Sequence, residues 1–471
     1  MSAAAIRYAR ANFGRFVREL AQLVAIPSVS GDPTHAGDVR RAANRLAALL
    51  SNAGLSQVEI DESGSNTVVY AQSEIDPARR TVLVYGHYDV QPADMKDGWS
   101  SPPFEPVVRG SDLLGRGASD DKGQVMIHVK ALESILASGG RLPVNVKCVF
   151  EGAEEQGSPG LKPLLEANRS ALAADVAVVS DTRILGPDRP ALTYSLRGSL
   201  GCEIEVRTLD HDVHSGAFGG AVLNPLEVMS EVLAGLHESD GRIAIKDFYD
   251  DVREVSAAER SFMATQGPSD ASIVADASAA AAWGERGYTA YERTTIRPSV
   301  SVNGVSGGYQ GPGGKAVIPA RATAKLSFRL VPEQDPARVE ELLRDHLRRV
   351  VPRGVKVELE FRAAALSAEI DRNIPVMRAA ARAYEAGFGR APVFLRSGGT
   401  IPVVNHLGEV LAAPVVLMGF ALPDDGMHAP NEKFHLPQLM RGIATVIAFF
   451  EEVARTAGYP KQATGSSINV R

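Results

Sequence analysis

Cysteine is scarce in this chain. Only Cys148 and Cys202 occur among 471 residues, far apart and each within an apolar, strand-like stretch. That spacing excludes a disulfide framework and a zinc knuckle. Two buried, reduced thiols in a reducing, cytoplasmic compartment are expected. Long hydrophobic runs are also missing. No stretch approaches the roughly 18 apolar residues of a membrane span, and no apolar block with a cleavage site opens the chain. Positive charge is in deficit, with 50 Lys and Arg against 56 Asp and Glu and a formal net charge of -6. A sequence-independent nucleic-acid binder needs a basic face to displace counterions, so no such partner is expected.

What is present is ordinary for a soluble globular protein: 45% hydrophobic and 23% charged residues. The length exceeds what one core usually organises, which predicts two domains. Near the start, Arg7, Arg10, Arg15 and Arg18 resemble a transit peptide in charge. However, Ile6, Phe13, Phe16, Leu20 and Leu23 recur at roughly helical spacing, which predicts an amphipathic first helix.

Two textures follow. In the first 200 residues, helical stretches (Val39 to Leu50, Val125 to Leu136) alternate with short apolar runs (Thr81–Tyr85, Val144–Phe150, Val176–Ser180). This pattern predicts an α/β domain with a mostly parallel sheet covered by helices. It returns near the end with a strand at Pro414–Phe420 and a helix at Leu436–Ala454. Between them, Gly201–Thr208 and Ala322–Leu330 alternate polar and apolar residues, as strands with one wet face do. Asp240 to Arg297 is charged, rich in alanine and helical in pattern. The expected organisation is a discontinuous α/β domain at 1–198 and 371–471, with an inserted α+β domain at 199–370.

Chemistry-bearing residues gather after the predicted strands. Thr81–Tyr85 leads to His87 and Asp89, Val144–Phe150 to Glu154 and Glu155, and Val176–Ser180 to Asp181. Pro414–Phe420 leads to a loop with Asp424, Asp425 and His428, while Gly115 to Gly123, carrying Asp120 and Asp121, precedes a helix. Singly, each has a bland reading: a capping Asp, a surface His, a solvated Glu pair. Jointly they sit at the carboxyl ends of parallel strands, where open sheets bind ligands. Nitrogen and oxygen donors of this kind suit Zn2+ or a similar first-row ion. Five donors with a shared carboxylate suit two ions about 4 Å apart. The glycine-rich run Gly307 to Lys315 fails P-loop spacing, because Tyr309 stands where the first glycine belongs and Ala316 follows the lysine.

Four runs carry a resemblance: Gly86-His87-Tyr88-Asp89-Val90, Gly115 to Gly123, Glu151-Gly152-Ala153-Glu154-Glu155, and Met427 to Glu432. They resemble the metallopeptidase family of aminoacylases, glutamate carboxypeptidases and carnosinase-type dipeptidases. His214 to Gly220, Lys315 to Pro319, Phe328 to Pro332 and Arg396 to Pro402 favour the dipeptidase branch. The resemblance implies a homodimeric enzyme that cleaves the amide bond of small peptides with two divalent ions, for which the donor set puts Zn2+ first and Mn2+ or Co2+ as alternatives. It implies that Asp120 bridges the ions, that His87 and Asp181 complete one site, and that Glu155 and His428 complete the other. Glu154 would be the general base and Asp89 the partner that orients His87. The family often joins its Asp-Asp pair by a cis peptide, here Asp120–Asp121. Substrate contacts would come from Arg329, from Ser397, Gly398 and Gly399, and from His214 acting on a neighbouring subunit. The same centre would serve an N-acyl-amino-acid deacylase, and a catalytically dead scaffold is the alternative of another class.

Overall fold

The computed structural model describes residues 2–456. The chain divides into two compact units. One holds the residues up to Tyr194, Ile370–Leu395 and the chain from Pro402. The other holds Ser195–Glu369 and Arg396–Ile401.

In the first unit, strands Thr81–His87 and Asn145–Glu151 are buried at every position. Such strands need a covered sheet, and that is where they lie. The order runs Gln57–Asp61, Val68–Gln72, Asn145–Glu151, Thr81–His87, Val176–Val179, Val415–Leu417, Ala191–Leu196. The four central strands are parallel. Antiparallel pairs extend both sides, the Gln57–Asp61 and Val68–Gln72 pair on one and Ala191–Leu196 on the other. The parallel texture therefore describes the centre of a mixed sheet. Register pairs His87 with Glu151, and Val179 with both Tyr85 and Leu417, so four strands end on one rim.

Helices Ser2–Val24, Lys122–Ala137, Pro375–Phe388 and Leu436–Arg455 pack within this unit. Lys122–Ala137 is buried on nearly every side, including polar positions such as Gln124, His128 and Lys130. The first helix buries Ala5, Ala9, Phe16, Leu20 and Leu23, whereas Phe13 lines a surface cleft with Leu436 and Met440. Cys148 and Cys202 are both free and buried. Among the described residues no helix is long and apolar enough to cross a membrane.

The second unit is an antiparallel four-stranded sheet in the order Ser299–Gly307, Arg321–Leu330, Gly198–Arg207, Lys356–Ala365. Its alternating strands place Leu200, Cys202, Ile204 and Val206 beside Ala322, Ala324, Leu326 and Phe328 in one core, with Val339 and Leu343 of helix Pro336–Val350. The stretch from Asp240 to Arg297 is less helical than its composition suggests. It holds only the short helices Ala257–Gln266, Asp270–Asp276 and Ala290–Arg293. Gly267 and Pro268 end the first, and Gly284 and Gly287 adopt left-handed conformations that favour loop over helix.

Candidate metal centre

The rim of the parallel strands collects the donors. His87 is the last residue of its strand and is fully buried. Gly86 permits the close approach there, since a Cβ would lie 2.6 Å from Val125 Cγ2 and 2.9 Å from Asp121 Oδ2. Glu154 and Glu155 open the 3-10 turn that follows strand Asn145–Glu151. Asp181 follows Val176–Val179. Asp120 immediately precedes Asp121, the N-cap of helix Lys122–Ala137, and the peptide between them is cis. His428 lies in the loop after Val415–Leu417 with φ of 62°, a conformation uncommon outside glycine.

Two groups result. His87, Asp120 and Asp181 each offer a donor atom within 4.8 Å of the others, as do Asp120, Glu155 and His428. Asp120 belongs to both. Its Oδ1 lies 3.0 Å from His87 Nε2 and its Oδ2 lies 2.9 Å from His428 Nε2. Glu155 Oε1 stands 3.2 Å from the same His428 nitrogen. The other nitrogen of His87, Nδ1, faces Asp89, 3.2 Å from its carbonyl and 3.3 Å from Oδ1. That leaves Nε2 toward Asp120. The Asp89 carboxylate also accepts the backbone N–H groups of Glu154 and Glu155, both at 3.1 Å, and the Ser30 hydroxyl at 2.6 Å. It thus ties the histidine strand to the glutamate turn.

The crowding shifts the carboxyls of the cluster in opposite directions. Burial lifts the Glu154 carboxyl well above its ordinary range; nearby His87 opposes this, and Asp181 and Glu155 add to it. Burial raises Asp181 and Asp121 as well, with Asp120 pushing each further. Hydrogen bonds from His428 and His87 outweigh burial at Asp120 and hold it below the usual carboxylate range. His428 is lifted to about 10 by Asp120 and Glu155. At His87, burial disfavours the charged ring, but Asp120 and Asp89 outweigh it and raise the pKa. Crowded, mutually repelling carboxylates with imidazoles aimed among them form a donor set that cations fit.

Glu432 is a residue that sequence reasoning missed. It is fully buried, and its carboxylate accepts from Arg116 Nη1 at 2.8 Å, the N–H groups of Gly117 and Ser119 at 2.9 Å, and that of Asp120 at 3.0 Å. The available signal was its place four residues after His428 in a run already singled out. A Gly-x-Ser-x-Gly run spans Gly304 to Gly308. Its Ser306 lies on an antiparallel edge strand and pairs with Thr323 Oγ1 at 2.6 Å, unlike a nucleophile on a strand-to-helix turn.

The remaining candidates belong to the second unit. Arg329 Nη1 donates to Thr400 Oγ1 at 2.9 Å, and that hydroxyl donates to Arg197 O at 2.7 Å. Gly399 N–H is engaged by Ser397 Oγ at 3.2 Å. Gly398 has no room for a side chain, since a Cβ would meet Thr294 O at 2.5 Å. His214 is exposed, and its Nδ1 accepts the Gly216 N–H at 3.0 Å. The neutral ring therefore carries its proton on Nε2.

Two donor triads sharing one carboxylate at the carboxyl rim of a parallel sheet define a two-ion metallohydrolase. The chain belongs to peptidase family M20/M25/M40, whose model matches residues 83–452. It is 34% identical over 465 residues to the Cys-Gly metallodipeptidase dug1 of Schizosaccharomyces pombe, covering 93% of this chain and 95% of that one. Among solved structures it resembles the di-peptidase Dug1p of Saccharomyces cerevisiae, with a TM-score of 0.87, 28% identity, and 97% and 99% of the two chains covered. Human carnosine dipeptidase 1 gives a TM-score of 0.87 at 30% identity, covering 96% and 99%.

Proposed function

We propose that this chain hydrolyses the amide bond of dipeptides, with His87, Asp120 and Asp181 holding one divalent ion and Asp120, Glu155 and His428 the other. The observation that carries the reading is the sharing of Asp120 between two donor groups immediately beside Glu154. Bound there, the two ions supply Lewis acidity and neutralise the crowded carboxylates. Glu154 takes a proton from the attacking water and passes it to the leaving amine, so one water is consumed and the carboxyl is restored. Asp89 fixes the tautomer of His87 and the backbone of the glutamate turn. Zn2+ is the ion this mixed nitrogen and oxygen set suits best, with Mn2+ and Co2+ as alternatives.

Dipeptides are favoured because the similar chains bear the names Cys-Gly metallodipeptidase and Beta-Ala-His dipeptidase. On this reading Arg329 grips the terminal carboxylate with a bidentate fork, and Ser397 to Gly399 line the same end. A homodimer, with His214 serving the partner subunit, completes the proposal, as does a cytoplasmic location that keeps both thiols reduced. The test is a panel of free dipeptides against N-acetyl and N-succinyl amino acids, run with each metal. Preference for free dipeptides supports the reading. Preference for N-acyl amino acids replaces it with a deacylase, and no turnover with two ions bound replaces it with a binding scaffold.

A further inference from the structure

Gln91 touches the candidate metal centre without belonging to either donor group. The chain at this point is fixed, because Val90 N–H donates to Ser28 O at 3.0 Å. The Gln91 side chain then places Nε2 2.8 Å from Glu155 Oε2. An ionised carboxylate only accepts hydrogen bonds, so the amide presents its NH2 to it. The second oxygen, Oε1, is the one that faces His428 Nε2, at 3.2 Å. The Glu155 backbone is held as well, its N–H donating to Asp89 Oδ2 at 3.1 Å. The two oxygens of one carboxylate are thus divided. One is aimed at the donors and the other is held by an amide.

We infer that Gln91 is a positioning residue that restricts Glu155 to ligation through one oxygen, and so biases the centre toward Zn2+ over Mn2+. The inference rests on the two-ion reading above. A carboxylate can bind an ion through one oxygen or through both. Zn2+ is satisfied by about four donors, whereas Mn2+ favours octahedral, oxygen-rich shells. An N–H on Oε2 occupies one lone pair of that oxygen and draws off its charge, which disfavours a second bond to the ion. It also fixes the carboxylate plane, which keeps Oε1 directed at the donor group. Losing an outer hydrogen bond to a ligand typically costs about 10- to 100-fold in metal affinity.

The test uses the full chain, stripped with a chelator and reloaded with a single metal. Gln91→Met keeps the length of the side chain but removes the donor. Gln91→Glu sets a second carboxylate against Oε2. Competition titrations give the ratio of Zn2+ to Mn2+ affinity, and the visible absorption of the Co2+ form reports coordination number. Gln91→Met is expected to lose about 10-fold or more in Zn2+ affinity at one of two sites. Its Mn2+ affinity should fall less or rise, and its Co2+ bands should weaken as the coordination number increases. The thermal midpoint of the stripped protein should stay at the wild-type value, which a merely structural role would shift. Gln91→Glu should weaken both metals at that site. If wild type binds two ions and Gln91→Met keeps both the affinity ratio and the Co2+ spectrum, the inference fails alone. If wild type itself does not bind two ions, the two-ion reading fails and takes this inference with it.

Discussion

Glu432 accepts the backbone N–H of Asp120 at 3.0 Å although 312 positions separate them in the chain. The same carboxylate pairs with Arg116, itself buried, at 2.8 Å. Glu432 therefore joins the loop that carries Asp120 to the loop that carries His428. Glu432→Ala leaves a buried guanidinium and several N–H groups unpaired, an effect of about 3 to 5 kcal/mol. Urea unfolding of the stripped protein should show that loss, and metal analysis should show both ions depleted. Full metal occupancy in the variant would remove Glu432 from the support of the centre.

Glu154→Gln keeps shape and removes the proton acceptor. Metal content should stay at two ions while kcat falls by at least about 100-fold, the usual share of general-base catalysis. Asp120→Ala should instead lose metal, because Asp120 is common to both donor groups. A Gln variant with near-normal turnover would withdraw the base assignment.

Arg329 carries its charge in a half-buried place, and burial lowers its pKa. Lysine reproduces a bidentate fork poorly. Arg329→Lys should raise KM for free dipeptides far more than for peptides amidated at the C-terminus. Equal losses on the two substrates would rule out the carboxylate contact.

Glu151 predicts a pH dependence of stability. It is buried against Tyr85, accepts from Ser158 Oγ at 2.8 Å and is also bonded by Asn66. Burial lifts it from about 4.5 to about 7; the Tyr85, Ser158 and Asn66 hydrogen bonds oppose this and the Asp89 charge adds to it. Below the unfolded pKa both states hold the proton and the contribution to stability is full. Between those two values the unfolded chain releases the proton while the folded chain keeps it, so stability falls as pH rises. The fall levels off above about 7 and amounts to roughly 3 kcal/mol, at about 1.4 kcal/mol per unit. Glu151→Gln should flatten the part of the unfolding free energy that declines over this window. An unchanged slope would show that Glu151 is ionised in the folded state.

His214→Ala and Glu154→Gln should each be inactive alone. Mixed under conditions of subunit exchange, they should regain about half of the wild-type activity per mixed dimer, since one of two equivalent sites is whole. Proven exchange without recovery would confine His214 to its own subunit or to no catalytic role.

By itself the sequence determined the α/β class, the central strands and the residues at their carboxyl ends. Periodicity is a local property, and strands such as Thr81–His87 and Asn145–Glu151 write theirs as short, mostly apolar runs. The alternation in Arg321–Leu330 likewise announced a sheet with one wet face. The Asp240 to Arg297 stretch misled because its alanines signal helix, while scattered glycines and Pro268 decide where helices stop. Only the tertiary structure decided that Asp120 is held by Glu432, that the Asp89 carboxylate also holds the glutamate turn, and that Gln91 occupies one oxygen of Glu155. Each is a hydrogen bond between segments distant in sequence or separated by a turn. A donor or acceptor reveals its type in the sequence, but its partner is fixed only when the sheet order and the loops bring two particular atoms within about 3 Å.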